Sequence, residues 1–237
     1  MSKDNYIIET RGLVKKFGVK TVLRKIDLSL KKGDFLALFG PNGVGKTTLI
    51  QILCFLMRPT SGSVWFAGFD AGYDRETLHK IIGVVSHNTF LYNNLSACEN
   101  LKFYGRMYEV INLEERIEEV MGLVGLREYM KDHVQTFSRG MQQRLSVARA
   151  IIHDPLILFL DEPFTGLDQH GVEDFKQILK KFREQGKTIV MTSHDLDRGF
   201  ELCTQAAILK SGNLVYKEDV SKIIQDDFKD IYFKLTE

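Results

Sequence analysis

At 237 residues, 44% hydrophobic and 27% charged, the chain has the makeup of a folded protein with one sizeable core, or a core with a subdomain attached. Its 32 basic and 31 acidic side chains leave a net charge of +1, so bulk electrostatics selects neither nucleic acid nor an anionic membrane as partner. Cys54, Cys98 and Cys203 are odd in number and far apart, which argues against a disulfide framework or a zinc site and for small apolar side chains in a reducing compartment. The opening MSKDNYIIET has no apolar core of signal-peptide length, and no apolar run approaches the ~18–20 residues that cross a bilayer.

In chain order, YIIETRGLV and TVLRKIDLSL read as strands, the second alternating around Val22, Leu23, Ile26, Leu28 and Leu30. DFLALFG is short and continuously apolar, as in a sheet covered on both faces; it feeds a glycine-rich turn and the helix KTTLIQILCFL. SGSVWFAGFD and KIIGVVS are further strands, and residues 96–153 read almost wholly helical, as a lobe of their own. Strand LILFLDE, helix GVEDFKQILKKFREQ, strand KTIVMTS, helix DLDRGFELC and strand AAILK follow, and SGN turns the chain into LVYKE. The four prolines, Pro41, Pro59, Pro155 and Pro163, border elements instead of interrupting them. The fold class expected is α/β: a mostly parallel sheet with helices on both faces and an antiparallel flank.

GPNGVGKTT, Gly40 to Thr48, fits the phosphate-loop spacing at Gly40, Gly45, Lys46 and Thr47. Gly43 and Gly45 let the backbone amides converge on phosphate oxygens, and the helix N-terminus adds partial positive charge. Lys46 is placed to reach β- and γ-phosphates, and the Thr47 hydroxyl to ligate Mg²⁺; Pro41, Asn42, Val44 and Thr48 complete the cradle. In LILFLDEPFTGLD, four or five apolar residues precede Asp161 and Glu162 at a strand's carboxyl end, where open parallel sheets bind ligands. Acid at the end of a buried strand needs a cation, and the Mg²⁺ of bound ATP supplies one. Asp161 is assigned to the metal shell and Glu162 to polarising the attacking water as general base. TSHD ends the next strand at the same edge, where His194 can touch the γ-phosphate and hold that water.

FSRGMQQR starts a helix: Ser138 is a good N-cap, and Met141, Leu145, Ala148 and Ile152 recur as one buried face. The amides of Arg139, Gly140 and Met141 then point either at nothing or at an anion.

The ordered set of phosphate loop, SRGMQQR, LILFLDEP, TGLD and TSHD resembles the nucleotide-binding subunits of ABC transporters, over essentially the whole chain. The resemblance implies a P-loop NTPase, a RecA-like core with an antiparallel β subdomain (together residues 1–87 and 154–237) and a helical signature subdomain (88–153). It also implies a head-to-tail homodimer or heterodimer closing over two ATP molecules. By the same resemblance Phe17, in LVKKFG, stacks on adenine, and Asp168, in TGLD, communicates across the dimer. Ser138 and Gly140 match the signature, usually Leu-Ser-Gly-Gly-Gln, that binds the γ-phosphate held by the other copy.

Two departures stand out. Arg139 and Met141 replace the signature's first glycine and its glutamine, the first a change familiar among exporter subunits. The family's metal-touching glutamine aligns with His87, followed by Asn88, and either the imidazole or the Asn88 amide fills its place. ATPases that look like the haem exporter of cytochrome c maturation carry a His-Gln pair at this place, and this chain's His87-Asn88, with its LTALENL-like LSACENL, resembles that branch.

The function expected is therefore ATP hydrolysis powering export through a separate transmembrane permease, with the chain peripheral at the cytoplasmic face of the membrane. Cargo alternatives are haem, a drug, a lipid or a polysaccharide. A single-domain ATPase of iron–sulfur assembly is the alternative outside transport. A P-loop kinase or GTPase leaves SRGMQQR unexplained, and the chain lacks an Asn-Lys-x-Asp guanine-reading motif.

Overall fold

The computed structural model describes residues 6–72, 75–86 and 88–236. The chain begins with an antiparallel hairpin, β1 (Tyr6–Phe17) and β2 (Lys20–Lys31), and then enters β3 (Phe35–Phe39), whose five residues are all buried. Helix α1 (Lys46–Leu53) follows. The stretch expected as one strand over 61–70 is a tight hairpin, β4 (Ser61–Phe66) and β5 (Phe69–Asp70). Ala67 and Gly68 turn it with positive φ of 48° and 84°, the pairing that two-residue hairpins require.

Short α2 (Arg75–His79) leads to β6 (Ile82–Val85). The helical stretch contains α3 (Ala97–Met107), α4 (Leu113–Leu123) and α5 (Arg139–Ile151), with two single-turn 3-10 segments between the last two. Ser96 caps α3 in a reciprocal box with Glu99, which is the local reason the helix starts there. Then come β7 (Ile157–Asp161), α6 (Gln169–Glu184), β8 (Thr188–Ser193), α7 (Leu196–Leu202), β9 (Gln205–Lys210) and β10 (Asn213–Asp219). A final helix, α8 (Gln225–Thr236), lies beyond the last element expected from sequence.

The strands form two sheets: β2-β1-β4-β5, all antiparallel, and β10-β9-β3-β8-β7-β6, parallel except for β10. Alternate residues of the central strands enter two apolar cores. Phe35, Ala37 and Phe39 face the core shared with α5, α6, α7 and α8, whereas Leu36 and Leu38 face the one shared with α1 and the antiparallel sheet. Burial on both faces is why β3, β7 and β8 read as continuous apolar runs. Leu101, Ile117 and Val120 of the helical lobe join the first core through Leu145 and Ala148 of α5, so the lobe's interior is continuous with that sheet face. Cys54 and Cys203 are buried as expected, and burial pushes the Cys203 thiol up to about 12; Cys98 is only half-buried.

Candidate active site

Strand order brings three carboxyl ends together. β8 lies between β3 and β7, with Ser193 opposite Phe39 and Thr192 opposite Asp161. The loop after Phe39, the acidic pair at Asp161 and the histidine after Ser193 therefore share one sheet edge, where ligands of open parallel sheets bind.

The phosphate loop is pressed close to its surroundings. Gly40 (φ 154°) lies so near β9 that a Cβ would stand 2.4 Å from the Leu209 carbonyl oxygen. Gly45 (φ 115°) would place one 2.9 Å from Leu23 Cδ2. Only glycine meets both the space and the left-handed backbone at position 45. Gly45 offers α1 no side-chain cap, and the first turn holds no acid, so the helix presents unneutralised amides to the loop. Asn42, Gly43, Gly45, Lys46, Thr47 and Thr48, with Val22 and Glu162, line a cleft of about 280 Å³.

Lys46 is buried and donates from Nζ to the carbonyls of Gly40 (2.7 Å) and Pro41 (3.3 Å), with Glu162 Oε1 at 3.4 Å. Asp161 is buried too, and its Oδ1 accepts from Thr47 Oγ1 at 3.1 Å and Thr192 Oγ1 at 2.7 Å. The Thr192 hydroxyl in turn accepts from the Glu162 amide at 2.9 Å. Sequence reading passed over Thr192, whose one signal is a hydroxyl at the end of an apolar strand beside two acids.

Glu162 has φ 51°, a strained backbone for a residue with a side chain, of the kind that gathers at functional sites. Its Oε2 is 2.7 Å from His194 Nδ1, and its Oε1 is buried without a hydrogen-bond partner. Among the described residues the ion pair with Lys46 is thus that oxygen's one polar contact, and its hydrogen-bonding capacity is left unused.

Other expected residues lie elsewhere. Phe17 is exposed at the end of β1, with Lys15 Nζ 5.0 Å from its ring centroid. Ser138 caps α5, accepting from the Met141 amide at 3.2 Å. Asp168 caps α6 through Gly171 at 2.7 Å. None of these, nor Gly140, lines the phosphate-loop cleft. His87 lies outside the described residues. Arg139 packs over Gly166 of the TGLD loop in its own chain, so close that a Cβ there would meet its guanidinium carbon at 2.3 Å. A second cleft of about 440 Å³ is lined by Arg139, Gln142 and Gln143 of α5 together with Asn88, Thr89, Glu162 and Thr165. Gln143, also missed from sequence, ties α5 to this region by donating to the Pro163 carbonyl at 3.1 Å.

Among the described residues no three His, Cys, Asp or Glu cluster into a metal cage. Thr47 and Asp161 offer adjacent oxygens without sulfur or described imidazole, a donor set that fits Mg²⁺, which takes one or two protein oxygens and fills its shell with phosphate and water.

A phosphate-binding loop feeding α1, with acids at the end of a parallel strand one removed from β3, defines a P-loop nucleoside triphosphatase. The ABC transporter family profile matches residues 23–165, more than half of the chain, and the chain belongs to that family as an ATP-binding subunit. The uncharacterized ABC transporter ATP-binding protein YdbJ of Bacillus subtilis (strain 168) is 39% identical over 216 residues, 91% of this chain and 69% of that protein. The lantibiotic transport ATP-binding protein SrtF of Streptococcus pyogenes is 36% identical over 213 residues, 90% and 91% of the two chains. The dimeric cassette MJ0796, solved in a post-hydrolysis state with ADP and Pi, has a TM-score of 0.80 at 29% identity and covers 90% of this chain and 98% of its own. The activity is ATP hydrolysis coupled to transport. None of these relatives is named for haem, so the expected likeness to a haem exporter finds no support in them. Among the described residues no helix is long and apolar enough to cross a membrane.

Proposed function

We propose that this chain, paired with a second ATPase copy, hydrolyses Mg²⁺-bound ATP to drive export through a separate membrane permease. The observation that carries the reading is the convergence of Lys46, Asp161, Glu162 and His194 on one sheet edge. The phosphate-loop amides and α1 terminus cradle the phosphates, and Lys46 exchanges its two carbonyl partners for β- and γ-phosphate oxygens. Thr47 and Asp161 hold Mg²⁺, which when bound offsets phosphate charge. Glu162 takes a proton from the attacking water as that oxygen bonds to the γ-phosphorus and the bond to the ADP oxygen breaks. His194 Nδ1 fixes the carboxylate through Oε2, leaving Oε1 for the water.

Phe17 stacks on adenine, and Ser138, Gly140 and Asp168 act on the site of the other copy. Residues 88–153 form the lobe that moves with the permease. Exposed Phe103 and Met107, with Lys102, Arg106 and Glu99, line a cleft of about 750 Å³ that suits a permease helix with an apolar face and charged ends. SrtF is named for lantibiotic transport, and the cargo class we favour is accordingly a peptide antibiotic.

The deciding experiment is Glu162→Gln. Turnover should fall by about a hundredfold or more, the scale of losing a general base, while ATP drives the variant into a stable dimer visible by light scattering. A variant that hydrolyses ATP normally, or stays monomeric at saturating ATP, refutes the mechanism.

A further inference from the structure

The chemistry above leaves Arg149, a partly buried cation, unused. α5 carries Arg149 to β6, the edge strand of the large sheet, where Nη2 donates to the Val84 carbonyl at 2.6 Å. The guanidinium carbon lies 5.6 Å from the Phe90 ring centroid and 5.3 Å from that of Tyr104. Among the described residues no carboxylate pairs with it, and its Nε is buried without a hydrogen-bond partner. Withdrawing a cation from water without a counter-ion is costly, and aromatic faces offset only part of that cost. Such a group persists where the surroundings need its geometry.

What it holds is a strained segment. Phe90 has φ 53°, a genuine outlier for a bulky side chain. The Tyr104 hydroxyl donates to the Phe90 carbonyl while its ring lies near Arg149, and Ser86 Oγ donates to the Asn88 carbonyl at 2.8 Å. Residues 88–90 are therefore fixed from both ends. Asn88, Thr89 and Glu162 line the same cleft of about 440 Å³.

We propose that Arg149 is a positioning residue for ATP hydrolysis: anchored to Val84 and set against the rings of Phe90 and Tyr104, it holds Asn88 and Thr89 in the cleft that Glu162 also lines. The proposal rests on Glu162 as the hydrolytic base. It divides the guanidinium's work in two. Binding the Val84 carbonyl protects a sheet edge, which a lysine ammonium also does; lying against both rings needs a planar cation. Lysine at 149 thus separates structural support from positioning.

The test compares wild type, Arg149→Lys, Tyr104→Phe and Phe90→Leu in the full chain. Arg149→Lys should lower kcat about tenfold and Tyr104→Phe about threefold, with KM for ATP within about twofold of wild type, the pattern of an interaction that matters only in the transition state. Amide exchange at residues 88–91 should quicken by about tenfold in both while β6 keeps its protection. Wild-type kcat in Arg149→Lys, or a loss of KM and melting temperature in step with kcat, overturns the proposal. If that variant fails to fold, Tyr104→Phe and Phe90→Leu decide by the same criteria. A wild-type chain without turnover refutes the ATPase mechanism instead, and exchange at 88–91 still decides whether the clamp exists.

Discussion

His153 shows how a single side chain can set the acid limit of this fold. Its ring stacks on Tyr108 at 3.8 Å between centroids and 7° between planes, and Nε2 lies 3.0 Å from the Ile82 carbonyl. A carbonyl only accepts, so Nε2 carries the proton and donates it, leaving Nδ1 buried without a partner. Burial pushes the imidazole down to about 4; Arg116 and Arg149 push the same way, and the Ile82 bond and Asp154 oppose them. Above pH 6.5 both folded and unfolded chains hold it neutral. As pH falls from 6.5 towards 4, the unfolded chain takes up a proton that the folded chain refuses, and stability is lost, with a ceiling of about 3 kcal/mol. Urea midpoints measured from pH 7 to pH 4.5 should fall more steeply for wild type than for His153→Phe, which keeps the stack and cannot titrate. Parallel curves would show that His153 is not the group responsible. At this scale Lys46, Thr47, Asp161 and Glu162 were legible because their chemistry is local: a loop of fixed spacing, and two acids ending an apolar run. Thr192, Arg149 and His153 were not, because each acquires its meaning from a residue 31 to 71 positions away.

Among the elements, legibility followed burial. Strands β3, β7 and β8 are buried throughout and carry apolar runs that declared them, and Ser138 and the Leu145–Ala148–Ile152 face marked α5 correctly. Helix α8 escaped because DDFKD hides its single fully buried residue, Phe228, among charges. That ring sits 5.1 Å from Phe39 and Phe200 and 6.0 Å from Tyr216, so it joins the end of β3, α7 and β10 at the base of the phosphate loop. The rest of α8 adds partly buried Ile231, Tyr232 and Leu235 at the margin of the same core, and exposed polar ties such as Lys229 to Asp197 that are worth little individually. Phe228→Ala should therefore cost roughly 3–5 kcal/mol, the usual range for a buried aromatic truncation. Thermal melting followed by circular dichroism checks this. A loss below about 1 kcal/mol would mean that α8 is held by something other than Phe228.

For the whole molecule, strand order is what the linear pattern could not supply. Alternating strands and helices announce a parallel sheet, but only the observed order puts β8 between β3 and β7 and so gathers the loop, the acids and His194. The same architecture leaves Ser138 and Gly140 outside the phosphate-loop cleft, and the related cassette MJ0796 is dimeric. If the head of α5 serves the ATP of a second copy, damage to it must be complementable. Ser138→Phe should bind ATP like wild type and hydrolyse it at least tenfold more slowly, beyond the ~1 kcal/mol that losing the cap costs in stability. Lys46→Ala should fail from the opposite side, by losing phosphate binding. Two-fold pairing gives a mixed dimer of these variants one intact composite site, combining the phosphate loop of the first with the α5 head of the second. Mixing the two purified chains should restore turnover that neither shows alone. Mixtures that remain as inactive as their parents, while light scattering shows mixed dimers forming, would mean that α5 acts within its own chain.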